Sequence, residues 1–330
     1  MWTVLPSGAE TSADIPFSLQ NYLCTSMDQT KDQVKAILGA IKPKFVLYDF
    51  AYWVASFSQE LGFKSISYSI VSAALQALRV VPSRKMIKGM TFEEMMQTPP
   101  GYPSSKVVPR PDEAAEAEVF CLQFGSGLSF YERLVKSKKE SDAFAIRTCY
   151  EIEGPFIDYL AQQYAKPVLL TGPVLPEKRV SQLDQKWDKW LSKFEEGSGD
   201  CQIVLIPAHG DHIVTTMIMV EEMEVAVEVK REENGWISKE SLCNAMESVM
   251  SRDSEVAITS LKQKGNALDK QEQLFQAESV KRWSNCPGED AVSRSTNSGK
   301  LKHFKSRNQY HPFDSFEMYR FWSLISANGA

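Results

Sequence analysis

Hydrophobic residues along this chain fall into two kinds of run that alternate. Short apolar runs at Phe45–Tyr48, Ser65–Ile70, Ala143–Thr148, Val168–Thr171, Ile203–Ile206 and Val225–Val229 predict β-strands. Between them, apolar positions recur at helical spacing over Ser26–Ile41, Tyr52–Leu61, Leu128–Lys138, Gly154–Tyr164, Ile213–Met223 and Ser238–Ser251. The last of these opens on Ser238, a residue type that caps a helix by accepting from its free N–H groups, with Glu240 in the first turn. Strand and helix in alternation is the pattern of βαβ units, so the chain is expected to be α/β around a mostly parallel sheet.

Three stretches break the alternation. Residues 82–112, which contain Pro99-Pro100-Gly101-Tyr102-Pro103, predict a long surface excursion of the functional or mobile kind. Residues 176–200 carry Trp187 and Trp190 on a charged helical pattern that ends at Gly197-Ser198-Gly199, and they predict a linker. From about residue 271 onward Ser, Asn, Lys and Arg dominate without a period, which predicts a tail with no fold of its own. The 330 residues, 43% hydrophobic and 24% charged, are enough for two domains or one large one.

Charge and cysteine usage narrow the partners. A formal net charge of −5 speaks against neutralising nucleic acid phosphates and favours a small-molecule or protein partner. Cys24, Cys121, Cys149, Cys201, Cys243 and Cys286 are scattered, with no C-x-x-C pair and no N-x-[ST] sequon, which predicts a cytoplasmic protein. The apolar stretch from Ile66 to Val81 is interrupted by Ser67, Ser69, Ser72, Gln76 and Arg79, so no membrane span is expected. A monomer is expected.

Asp49 stands at the C-terminal end of an apolar strand, where ligands sit in open α/β sheets, although the same place suits a helix cap. His209-Gly210-Asp211-His212 offers two histidines and an acid, but no further ligands lie nearby in sequence and no metal is expected. No G-x-G-x-x-G follows a strand, and neither a Walker loop nor a G-x-S-x-G elbow occurs. The basic run from Lys300 to Arg307 reads as a solvated segment.

The stretch Asp200-Cys201-Gln202-Ile203-Val204-Leu205-Ile206-Pro207-Ala208-His209-Gly210-Asp211-His212 resembles the close of the nucleotide-sugar signature box of plant family 1 UDP-glycosyltransferases. Phe45 to Val54 resembles the strand that ends in that family's catalytic aspartate. Arg147 to Gly154, Leu170 to Pro176 and Trp187 to Ser198 resemble later landmarks. The likeness covers residues 1–198 and 200 to about 265, and its flavour is that of the subgroup adding a second sugar to flavonoid or anthocyanin glycosides.

The resemblance implies a GT-B fold of two Rossmann-like domains, the first lacking its N-terminal strand and the second largely reduced. Residues 1–175 are then an incomplete acceptor-side domain, 176–199 a linker, 200–265 a remnant of the nucleotide-sugar-binding domain and 266–330 a disordered tail. On the order of a hundred residues, close to a domain's worth, are missing between Ser198 and Asp200. A UDP-sugar is the implied co-substrate, a flavonoid-type hydroxyl the implied acceptor, and no further cofactor is implied.

By resemblance, Asp49 is the carboxylate of the base dyad, and Asp211 and His212 align with the pair that hydrogen-bonds the sugar. In the family, His in place of the usual Gln goes with galactose or pentose donors. The histidines are His209, His212, His303 and His311, so none precedes Asp49, where the family places its base. An aspartate alone, with an ordinary pKa near 4, is a weak base for a hydroxyl. Weak or absent catalysis is therefore expected. Two alternatives stand beside it: a relic binding a planar phenol in a cleft lined by Phe50, Tyr52, Trp53 and Phe124, and an aberrant gene product with an exposed sheet edge and a reduced core.

Overall fold

The computed structural model describes residues 8, 14–16, 19–111, 114–172, 184–186, 189, 203–208, 210–232 and 235–250. The expected linker lies outside these except for Asp184, Gln185, Lys186 and Lys189, and the expected tail lies outside them altogether.

Four parallel strands, β1 (Phe45–Tyr48), β2 (Lys64–Ser69), β3 (Ala143–Ile146) and β4 (Val168–Leu170), form one sheet in chain order. Helices α1 (Gln20–Gln29) and α2 (Lys31–Ile41) precede it. A 3₁₀ turn (Tyr52–Phe57) and the single-turn α3 (Ser58–Leu61) link β1 to β2. Between β2 and β3 come α4 (Ala73–Arg79), α5 (Phe92–Met96), α6 (Ala114–Val119) and α7 (Phe130–Glu140); α8 (Tyr150–Tyr164) joins β3 to β4.

The pairing Tyr48↔Ser67↔Phe144↔Val168 puts these residues on one face of the sheet, and Leu47↔Ile66↔Ala143 on the other. Strand β2 reads Lys-Ser-Ile-Ser-Tyr-Ser, an alternation that ordinarily marks a half-solvated strand. Here Ser65, Ser67 and Ser69 are buried. Ser67 Oγ lies 2.8 Å from Ser137 Oγ on α7, and Ser65 donates its hydroxyl to Asp142 at 3.0 Å. Short hydroxyl side chains let the helix approach the sheet while keeping their hydrogen bonds. Strand β1 pairs only with β2 among the described residues, and its Phe45 and Leu47 are each 40% exposed.

Helices α4, α5 and α6 were not expected from the pattern. Helix α4 is buried at Ala73, Ala74, Gln76, Ala77, Leu78 and Arg79, so it has no polar face to give it an amphipathic period. Its start is fixed by Ser72 Oγ accepting from Leu75 N at 3.2 Å and by the buried Glu153 accepting from Ala74 N at 2.9 Å. Helix α5 lies within the 82–112 excursion and carries a capping box, Thr91 with Glu94.

That excursion runs over the surface, as expected, and is anchored to the core at several points. Met86 and Val107 are 1% and 0% exposed in the main core. Arg79 and Arg84 both donate to the Met95 carbonyl at the end of α5, at 3.0 and 2.7 Å, and Tyr159 Oη donates to Pro100 O at 3.0 Å. Guanidinium groups at a helix C-terminus meet the carbonyl ends that carry its negative pole.

Strands β5 (Ile203–Leu205) and β6 (Ala226–Glu228) form a separate parallel pair. Helix α9 (Asp211–Met217), continued by a π turn (Ile218–Glu222), connects them, and α10 (Lys239–Met250) follows. Ser238 Oγ accepts from Ser241 N at 3.1 Å, the cap read from the sequence.

This second unit is docked on the first. Ile213, Val214, Met217 and Ile218 lie in the same apolar cluster as Ala73, Ala77, Leu78, Phe144 and Leu160. Around that contact, Ser104 Oγ donates to Glu222 at 2.6 Å, Lys106 Nζ to Glu221 O at 2.6 Å, and Arg110 to both carboxylate oxygens of Glu228 at 2.8 Å.

Candidate functional site

In a parallel sheet all strands end on one side, and their C-terminal ends are where a ligand meets loop backbone. That side carries Asp49 after β1, Ser72 after β2, Thr148 after β3 and Thr171 after β4. Behind it, Glu153 joins two of these loops. Its carboxylate accepts from Thr148 Oγ1 at 2.5 Å and from Ala74 N at 2.9 Å, at a break in the helical backbone just before Pro155.

Asp49 is half-buried by its accessible surface, yet its carboxyl is packed deeply enough to hold its proton. Burial raises its pKa to about 7, and the Lys138 ammonium on α7 offsets only part of the rise. Lys138 is buried in turn, and burial lowers its pKa to about 8 against the pull of Asp49. A carboxyl poised near neutrality is a chemically useful group, and burial is the physical means of making one. Asp49 caps no helix: the turn that follows it starts from Ala51 with no side-chain cap.

The structure takes the four aromatics expected to line a cleft and places them in packing roles. Trp53 is 4% exposed among Val34, Leu38 and Phe57, and its indole donates to Asp28 at 3.0 Å. Phe50 and Phe124 are buried with Phe130 and Cys24. Tyr52 lies against the Arg133 guanidinium, 4.8 Å from the ring centre. Residue type cannot separate a pocket wall from a core, and here the core takes Phe50, Trp53 and Phe124 while Tyr52 is half-buried at its margin. Sequence reasoning passed over Asp28, Arg133, Lys138 and Glu153, which carry most of the buried charge around this edge.

Asp211 and His212 open α9, Asp211 half-buried and His212 exposed, after Gly210 at φ 59°, ψ −127°. Asp49 and this pair lie on different units, with no hydrogen bond joining them among the described residues. His209 lies outside the described residues. Among the described residues no three His, Cys, Asp or Glu side chains gather as metal ligands, and no helix is long and apolar enough to cross a membrane.

No family model matches the chain. Among curated proteins, it is 36% identical to the anthocyanidin 3-O-glucoside 2'''-O-xylosyltransferase of Arabidopsis thaliana, with 76% of each chain covered. It is 35% identical to UDP-glycosyltransferase 79B6 of the same plant, again over 76% of each. The chain belongs to the plant UDP-glycosyltransferase family.

Family membership also explains the length of that match. The alignment to the xylosyltransferase runs over 354 positions while using 76% of 330 residues, about 251. Roughly a hundred positions are therefore gaps in this chain. An anthocyanidin 3-O-glucoside 2''-O-glucosyltransferase of Ipomoea nil is 30% identical over 76% of each chain. UDP-glycosyltransferases of this family draw their sugar from a UDP-linked co-substrate and need no further cofactor.

Solved plant structures share the fold. Phytolacca americana UGT2, complexed with UDP-2fluoro-glucose and pterostilbene, superposes with a TM-score of 0.60 at 12% identity, covering 85% of this chain and 88% of that one. An indoxyl-glucosylating UDP-glucosyltransferase from Polygonum tinctorium gives 0.57 at 11% identity, covering 81% and 80%. The α/β architecture described above is thus a reduced GT-B fold.

Proposed function

We propose that this chain is a UDP-glycosyltransferase whose ancestral reaction moves a sugar from a UDP-sugar to a hydroxyl of a flavonoid or anthocyanin glycoside, and that its own turnover is weak or absent. Asp49 is the surviving acid of the base dyad. Asp211 and His212 are the surviving contacts to the donor sugar. The observation that carries this reading is the state of Asp49. It sits at the ligand-bearing edge of the sheet, its pKa is raised to about 7, and the charge that acts on it is a lysine. An inverting transfer needs a base at the acceptor hydroxyl with a carboxylate behind it. Within these 330 residues no histidine stands ahead of Asp49 to be that base.

The test is turnover of UDP-xylose and UDP-glucose by the purified chain, with an anthocyanidin 3-O-glucoside as acceptor. The expected rate is at or near background and unchanged by Asp49→Ala. Robust transfer abolished by Asp49→Ala would overturn the reading.

A second reading, binding of a phenolic ligand without turnover, is favoured by two polar atoms. Gln76 Oε1 and Tyr102 Oη are buried and have no hydrogen-bond partner among the described residues. Orphaned atoms of this kind suit a ligand hydroxyl or a water. Quercetin binding weakened by Gln76→Leu, with no UDP binding, is the outcome this second reading expects.

A further inference from the structure

The most elaborate buried charge cluster among the described residues packs against Phe50, Tyr52 and Trp53, which follow Asp49 in the chain, and no role in the reaction accounts for it. Arg133 on α7 is 0% exposed. It donates to Asp28 on α1 through both terminal nitrogens, Nη1 to Oδ2 at 2.8 Å and Nη2 to Oδ1 at 2.7 Å, and Nη1 also reaches Phe124 O at 3.1 Å. Asp28 accepts further bonds from Trp53 Nε1 at 3.0 Å, from Ser126 N at 3.0 Å and from the Ser126 hydroxyl. The guanidinium is stacked between two rings, 4.6 Å from the centre of Phe50 and 4.8 Å from that of Tyr52. Gly125 closes the cluster: at φ +74° a Cβ there would stand 2.5 Å from both Arg133 Nη1 and Asp28 Oδ2.

Three of the four residues after Asp49, namely Phe50, Tyr52 and Trp53, are thus held by one ion pair. The backbone between them turns sharply, with Tyr52 N donating to Phe50 O and Val54 N to Ala51 O, both at 2.9 Å. A buried ion pair adds little net stability over an apolar replacement, so its value lies in the geometry it enforces. Arginine rather than lysine is needed, because only a planar fork can grip a carboxylate in two places and stack on rings at once.

We propose that Asp28 and Arg133 are positioning residues for the candidate site, fixing the turn Phe50–Trp53 and with it the placement of the Asp49 carboxyl at the edge of the sheet. This rests on the reading of Asp49 as the site carboxylate. The charged group facing Asp49 from a packed element is Lys138, on the same helix as Arg133. Holding α7 in place therefore also holds the one charge that acts on Asp49.

The test is the titration of the Asp49 carboxyl by ¹³C NMR of the full chain, assigned with Asp49→Asn. Arg133→Lys keeps the charge and removes the fork and the stacking. Its expected result is a folded protein whose Asp49 midpoint falls by about one unit or more toward the ordinary range as the carboxyl gains water. Trp53→Phe, which deletes the indole bond to Asp28 and puts a smaller ring in the core, moves the midpoint the same way by less, and it decides the matter if Arg133→Lys does not fold. A folded variant of reduced stability with an unmoved Asp49 midpoint makes the pair a mere core brace and overturns the proposal. If Asp49→Asn leaves quercetin binding unchanged, the site reading fails while a moved midpoint still upholds the positioning role.

Discussion

Two aspartates are both penalised by burial yet end with pKa values shifted in opposite directions, and the difference lies in their partners. Asp28 is also penalised by burial, but bonds from Arg133 and Ser126 outweigh the penalty and hold its carboxyl below the usual range. Its contribution to stability is present at neutral pH and is lost as the pH falls through the depressed folded pKa. Asp49 has only Lys138, and its pKa stands near 7 against an ordinary 3.8. The fold then keeps a proton that the unfolded chain releases, so this residue favours folding progressively less as the pH rises from about 4 to about 7. Asp49→Asn is expected to stabilise the protein by roughly 1–2 kcal/mol at pH 8 and by little at pH 4, read from urea midpoints at the two pH values. Asp28→Ala leaves Arg133 buried and unpaired, and a loss of about 3–5 kcal/mol is expected in the same assay at pH 7. The place of Asp49 at a strand end was legible from the apolar run before it, while its role came only from the family resemblance. The Asp28–Arg133 pair was not legible, because its members are 105 residues apart and neither helix carries a local sign of the other.

At the level of elements, strands were read almost to the residue, since each is a compact apolar run closed by polar loop residues. What the run could not tell was which face the serines of β2 take. Ser67 is buried against Ser137, so Ser67→Val both overfills the contact with α7 and orphans a hydroxyl. A cost of about 1–3 kcal/mol is expected in chemical unfolding. Helix α4 escaped notice for the opposite reason: a helix buried all round has no stripe, and periodicity detects stripes. The segment after it was read as a loop because proline and glycine punctuate it. Its anchors are side chains of α4 and α8 reaching its backbone carbonyls, and such bonds leave no trace in the local sequence.

For the molecule as a whole, the β5–α9–β6 unit and the four-stranded sheet share one core, so they are expected to gain and lose protection together. Met217 is 1% exposed at their contact, and Met217→Ala is expected to cost about 2–5 kcal/mol. Hydrogen exchange should then quicken in β2 and α4 as well as in β5 and β6; a change confined to residues 203–228 would show two independent bodies. The family was legible from end to end of the matched residues, because its landmarks are short strings tied to strand ends and survive an internal gap. The docking was not, since it depends on which surface α9 finds. The sheet also ends, among the described residues, in β1, whose Phe45 and Leu47 are each 40% exposed. A strand at a sheet edge with exposed apolar side chains is a template for another chain and a recognition signal for chaperones. In a cell, the amount of this protein would then be governed less by how often its gene is read than by how quality control weighs refolding against degradation.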